Sequence, residues 1–136
     1  MSFATGAGPT KQEMRAPANP VVHLELHTGN LPRACGFYTS LFDWRAETVH
    51  IGARSYLTLG LGNRIEGGVT EADIEQPLWI PYVEVDNVTT VTQRASQLGA
   101  SVELGPREGP AGWRSVIAPP AGAAIALWQP KPGGLR

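Results

Sequence analysis

The chain nearly repeats itself at half-length. Laying His23 on Ile80 brings Asn30 onto Asn87, Leu31 onto Val88, Ala34 onto Val91 and Leu41 onto Leu98. A slightly longer loop in the second half then brings Ile65 onto Ile125 and Glu66 onto Ala126. Few identities survive. What matches is the order of elements: a strand, a helix started by Asn, then strands ending in an Ile-centred apolar run. A repeat of this kind constrains architecture more than any single motif, because each unit buries its apolar face against a like neighbour.

Residues 21–28, VVHLELHT, alternate. Val22, Leu24 and Leu26 are expected on one face, and His23, Glu25 and His27 on the other, the pattern of a half-buried strand. Asn30 is suited to cap a helix with Pro32 in its first turn. Leu31, Ala34, Tyr38 and Leu41 supply its apolar stripe, and Asp43-Trp44 closes it. Strands are expected over 45–51, 55–61 and 64–70, with turns at Gly52 and Gly62-Asn63. An acidic linker, 71–77, ends at Pro77.

The second half opens with a strand over 78–85, in which Ile80, Tyr82 and Glu84 share a face. Pro81 predicts an edge position, or a place where its missing N–H is not needed. Asp86 or Asn87 caps a helix with the stripe Val88, Val91, Ala95 and Leu98, and Gly99 ends it. Strands are expected over 101–104, 113–118 and 123–128. Residues 105–112, GPREGPAG, are too rich in Gly and Pro to suggest regular structure.

At 136 residues the chain is one domain by length, with 42% hydrophobic and 17% charged residues. The expected division is an N-terminal arm without fixed structure over 1–19, a single domain over 20–130 and a loose tail over 131–136. Within the domain, module one spans 20–70 and module two spans 78–130. A net charge of −1 with no basic run argues against a nucleic-acid partner. No apolar run approaches the roughly 18–20 residues of a membrane span. The first residues lack the apolar stretch of a signal peptide, so a cytoplasmic protein is expected. The single cysteine, Cys35, excludes an internal disulfide and reads as a buried, inert thiol.

The segments VVHLELHTGNLPRACGFYTSLFDW, YVEVDNV and PPAGAAIALWQP together resemble the vicinal oxygen chelate superfamily, the glyoxalase, bleomycin-resistance and extradiol-dioxygenase group. The first segment is similar to that family's opening strand and Phe-Tyr-containing helix. YVEVDNV is similar to the opening of its other module, and PPAGAAIALWQP to its closing turn and strand. The resemblance covers roughly residues 20–130. It implies an α+β fold of two βαβββ modules forming an open, half-barrel cleft sheet with helices on the outer face. It also implies a divalent metal held from four positions, which here are His23, Glu66, Ile80 and Ala126. His23 and Glu66 are competent ligands; Ile80 and Ala126 are not. A metal site normally draws at least three ligands from protein, so no cofactor is expected.

Other residues mark the cleft as a small-molecule site. His23, His27 and Glu84 are the candidate acid–base groups, since imidazole titrates near neutral pH and burial tunes carboxylates. Glu25, Tyr82, Trp113, Arg114 and Trp128 are the candidate ligand contacts. Tyr and Trp rings suit a planar compound and Arg suits a carboxylate. Two functions follow. One is a binding protein of the bleomycin-resistance type for a planar or amphipathic metabolite or antibiotic, with an incomplete metal site. The other is a glyoxalase-like lyase, isomerase or dioxygenase, using His23 and Glu66 with a metal or His23, His27 and Glu84 without one. A homodimer is expected. Sequence leaves open whether the modules pair within a chain or across two.

Overall fold

The computed structural model describes residues 18–51, 54–62 and 65–132. The arm over 1–19 and the tail over 131–136 lie mostly outside the described residues, as do Gly52 and Asn63 of the two expected turns. Module one comprises β1 (Val21–Thr28), α1 (Leu31–Leu41), β2 (Arg45–Ile51), β3 (Arg54–Gly60) and β4 (Glu66–Glu71). Module two comprises β5 (Leu78–Glu84), α2 (Val88–Gln97), β6 (Ser101–Glu108), β7 (Gly112–Ala118) and β8 (Ile125–Pro130). The strands form one open sheet in the order β2-β3-β4-β1-β5-β8-β7-β6. Within each module the first strand pairs parallel with the last, β1 with β4 and β5 with β8. The modules join within one chain, through antiparallel pairing of β1 and β5.

Both helices start by the same device. Asn30 Oδ1 accepts from the Arg33 N–H at 3.1 Å, and Asn87 Oδ1 accepts from the Thr90 N–H at 2.9 Å. Another side chain, from the last strand of the same module, takes the first helical N–H. Glu71 Oε1 accepts from Leu31 at 3.0 Å and Gln129 Oε1 from Val88 at 2.9 Å. Both satisfy donors that a helix start leaves orphaned, and the Glu71 charge also complements the positive helix end. The repeat thus extends to a detail that the alignment of strands and helices did not expose.

Each helix covers the same face of the sheet. Under α1 lie Leu26, Leu59 and Val69, packed by Leu31, Ala34, Cys35 and Tyr38. Under α2 lie Val85, Val88, Ile117 and Leu127, packed by Val91 and Ala95. A buried pair, Thr92 Oγ1 and Ser115 Oγ at 2.7 Å, ties α2 to β7. Leu41 and Leu98, expected at the ends of the apolar stripes, are 59% and 67% exposed. They fall in the last turn and at the C-cap, beyond the sheet's reach. Gly99 follows at φ +100°, where a side chain would be strained and a Cβ would meet Pro120. Cys35, expected to be buried, is only half-buried, and that burial raises its thiol above the ordinary pKa.

One expectation is resolved between its two alternatives, and two need correction. Pro81 lies in an interior strand, facing Leu24 of β1. It is tolerated because the β5–β8 ladder begins only at Tyr82, beyond the proline. Residues 105–108 are strand, extending β6 to Glu108. β6 is the sheet's last strand, where Pro106 faces no second ladder, and register shifts accommodate Gly105-Pro106. Finally, Val22 does not join Leu24 and Leu26. A register shift between Val21 and His23 sends it to the helix-free face, against Ile80, Tyr82 and Ala126.

Candidate functional site

The helix-free face of the central strands carries the chemistry. From β1 it takes His23, Glu25 and His27; from β5, Ile80, Tyr82 and Glu84; from β8, Ala126 and Trp128; from β7, Arg114. Period-two alternation puts these residues on one face. Cross-strand register then sets neighbours: His23 opposes Tyr82, Tyr82 opposes Ala126, and Trp128 lies between Glu84 and Arg114.

Glu25 organises the β1 residues. Its Oε1 lies 2.7 Å from His27 Nε2, a hydrogen bond, and its Oε2 lies 3.5 Å from His23 Nε2. Side chains on alternate residues of a strand stand about 7 Å apart, so a carboxylate between two imidazoles can reach both. The three side chains are between 18% and 25% exposed, open enough for a ligand and dry enough for charge to matter. Burial pushes the Glu25 carboxyl up, but hydrogen bonding and charge from His23 and His27 outweigh it and hold it below the usual carboxylate value. An ionised carboxylate only accepts, so the close His27 Nε2 carries the proton.

His23 fits here because of Gly68 in β4. A Cβ on Gly68 would stand 3.1 Å from His23 Nε2 and 3.2 Å from Cε1. The ring therefore lies over bare backbone, with its other side edge-on to Tyr82 at a 4.9 Å centroid distance. Gly67-Gly68 inside a strand is the sequence signal for this, since interior strand glycine marks a close approach.

Tyr82 is the pivot of the site. It is 6% exposed, and its hydroxyl accepts from Arg114 Nη1 at 3.3 Å. Burial and the Glu25 charge raise the Tyr82 pKa against the opposing pull of Arg114, so the phenol stays protonated. Trp128 lies 6.4 Å from Tyr82, and its ring runs over Gly112, where a Cβ would come within 2.9 Å of Cζ2 and Cη2. Gly112 thus leaves room for the indole, which a side chain there would displace.

Not every candidate converges. Trp113 lies on the opposite face, against Val88 and Leu127 of the α2 core, with Lys131 Nζ 5.6 Å from its ring centroid. Its odd register relative to Arg114 forces this, so it does not line the cleft. Nor do His27 and Glu84 meet: His27 opposes Leu78, six residues from Glu84 along β5, or about 20 Å. Trp79 packs on α1, its indole N–H donating to the Tyr38 hydroxyl at 3.3 Å.

The superfamily's metal positions are met only in module one. His23 and Glu66 are register partners across β1 and β4, as the resemblance implies. In module two the residue opposite Ala126 is Tyr82 rather than Ile80, and Ala126 is completely buried. Neither a protonated phenol nor a methyl group is a fourth-site donor. Among the described residues, no three His, Cys, Asp or Glu side chains form a metal-holding group. The residues do not fit the four-ligand site.

The anthracycline biosynthesis protein DnrV of Streptomyces peucetius is 28% identical over 132 residues, covering 84% of this chain and 48% of DnrV. CFP32 of Mycobacterium bovis, named as a glyoxylase, is 32% identical over 117 residues, covering 78% of this chain and 44% of CFP32. Among solved structures, methylmalonyl-CoA epimerase from Mycobacterium tuberculosis matches with a TM-score of 0.59 at 18% identity, over 83% of this chain and 89% of that one. The chain belongs to the vicinal oxygen chelate superfamily. The epimerase likeness speaks to fold alone. This superfamily member spans about half the length of the curated relatives it matches. No protein-family model matches it. Among the described residues no helix is long and apolar enough to cross a membrane.

Proposed function

We propose that this domain binds a planar, oxygenated aromatic compound on its helix-free face, without the superfamily's four-ligand metal. The observation that carries this is the Tyr82–Trp128 pair beside the Glu25-clamped histidines. An apolar, aromatic floor meets a polar wall, the combination that orients flat ligands. The anthracycline-biosynthesis name of DnrV supports a polycyclic ligand class.

Tryptophan fluorescence tests the proposal. Trp44 and Trp79 pack against α1 and Trp113 against α2, which leaves Trp128 as the reporter on this face. Titration with anthraquinone-2-carboxamide, a neutral planar probe, is expected to quench Trp128 saturably at micromolar concentration, and Trp128→Phe to remove that quench. A quench that persists in Trp128→Phe, or one that never saturates in wild type, refutes the reading.

A second reading is favoured by the Glu25 clamp: a metal-free, glyoxalase-like lyase or isomerase in which His23 or His27 moves a proton beside a carbonyl. Solvent deuterium exchange into a bound ketone, abolished in His23→Ala and His27→Ala, would favour it over binding alone. A homodimer and a cytoplasmic location belong to the same proposal. The first draws support from exposed Phe37 and Leu41 one turn apart on α1. Sedimentation of wild type against a Phe37→Ser/Leu41→Ser variant tests the dimer.

A further inference from the structure

We propose that Arg114 makes this face selective for planar ligands bearing an ionised oxygen, a carboxylate or an acidic phenol or enol. The inference rests on the binding reading above and adds the charge of the ligand to it.

Three observations converge. Arg114 is half-buried on β7 and faces the site, yet among the described residues no carboxylate lies within ion-pair distance of it. Its one hydrogen bond among them, from Nη1 to the Tyr82 hydroxyl, leaves most of the guanidinium's five N–H groups unspent. A half-buried cation without a counter-ion is costly, and an incoming oxyanion would supply one. Next, Tyr82 accepts from Arg114, so its own proton is turned away from the guanidinium and Arg114 is held in place across β8 by a neutral partner. A carboxylate there would have cancelled the charge. Third, Trp128 is the cross-strand neighbour of Arg114 and its indole reaches over Gly112. A ring stacked on that indole would carry a substituent oxygen towards the forked donors.

The acidic groups nearby do not cancel this preference. Glu25 acts on Tyr82 from the β1 side, opposite Arg114, and its carboxylate is engaged by His23 and His27. Glu84 lies across Trp128 from Arg114, two strand spacings or about 10 Å away.

The test is a matched pair of probes, anthraquinone-2-carboxylate and anthraquinone-2-carboxamide, titrated by calorimetry at neutral pH. They share shape and differ in charge. Wild type is expected to bind the carboxylate at least tenfold more tightly, with the advantage shrinking as salt rises. Arg114→Gln is expected to bind both alike, and Arg114→Lys, which keeps charge but not the fork, to retain part of the preference. Thermal melts of each variant confirm folding. Equal affinities in wild type, or a preference kept in folded Arg114→Gln, overturn the inference while leaving the binding reading intact. Binding of neither probe overturns both.

Discussion

Replacing Glu25 by Gln probes the clamp at the heart of the site. The carboxylate presents an acceptor to each imidazole, at 2.7 Å to His27 and 3.5 Å to His23. An amide of the same shape has one acceptor. It can keep the short bond to His27 only as a neutral one, and it then turns an NH2 group towards His23. A hydrogen bond to a charged group contributes about 1.5–3 kcal/mol and a neutral one about 0.5–1.5 kcal/mol, so the exchange costs about 1–2 kcal/mol. For a domain of this size that is a fall in melting temperature of roughly 3–7 °C. Relief of carboxylate burial opposes the loss, but the lowered Glu25 pKa shows that the attractive terms win. The pH dependence has a definite sign. A carboxyl depressed below its ordinary value of 4.5 stabilises the fold fully above that value, and the contribution is lost as pH falls through the folded pKa. Glu25→Gln has nothing there to titrate. Melts of both proteins by circular dichroism should therefore show a gap at pH 7 that closes below pH 4.5. A variant as stable as wild type at pH 7, or a gap that persists into acid, would refute the reasoning.

Other perturbations have equally definite outcomes. Gly112→Ala drives a methyl into the Gln129 carbonyl and the Trp128 ring, and overpacking of this kind should cost about 1–3 kcal/mol in urea unfolding and shift the Trp128 emission. Ser115→Ala and Thr92→Val each break the buried bond between α2 and β7 and should each cost about 1 kcal/mol. The double variant should cost less than the sum, and strict additivity in the cycle would mean the hydroxyls are not coupled. Titration with manganese, nickel and zinc should show no stoichiometric uptake at micromolar concentration. Tight binding lost in His23→Ala would contradict the donor count at Tyr82 and Ala126.

Much of the fold was legible in the sequence because it is written in local terms. Asn30 and Asn87 announce helix starts whatever surrounds them, since a cap needs only its own next three residues. The alternation of VVHLELHT puts His23, Glu25 and His27 on one face by strand geometry alone. The repeat, and with it the superfamily architecture, follows from the order of such elements.

Tertiary structure decided what depends on register and neighbours. Pro81 reads as an edge residue or as one whose N–H is not needed, and the β5–β8 ladder, which begins beyond it, decides for the second. Gly105-Pro106 reads as loop until β6 proves to be the last strand, where a missing N–H costs nothing. A one-residue shift at Val21/His23 moved Val22 to the other face, and a two-residue difference in pairing put Tyr82 rather than Ile80 opposite Ala126. Alternation fixes which residues share a face but not which strand they meet or at what height. The clamp at Glu25, the ring over Gly68 and the reach of Arg114 to Tyr82 all arise from pairings between distant segments, and those exist only once the sheet has closed its register.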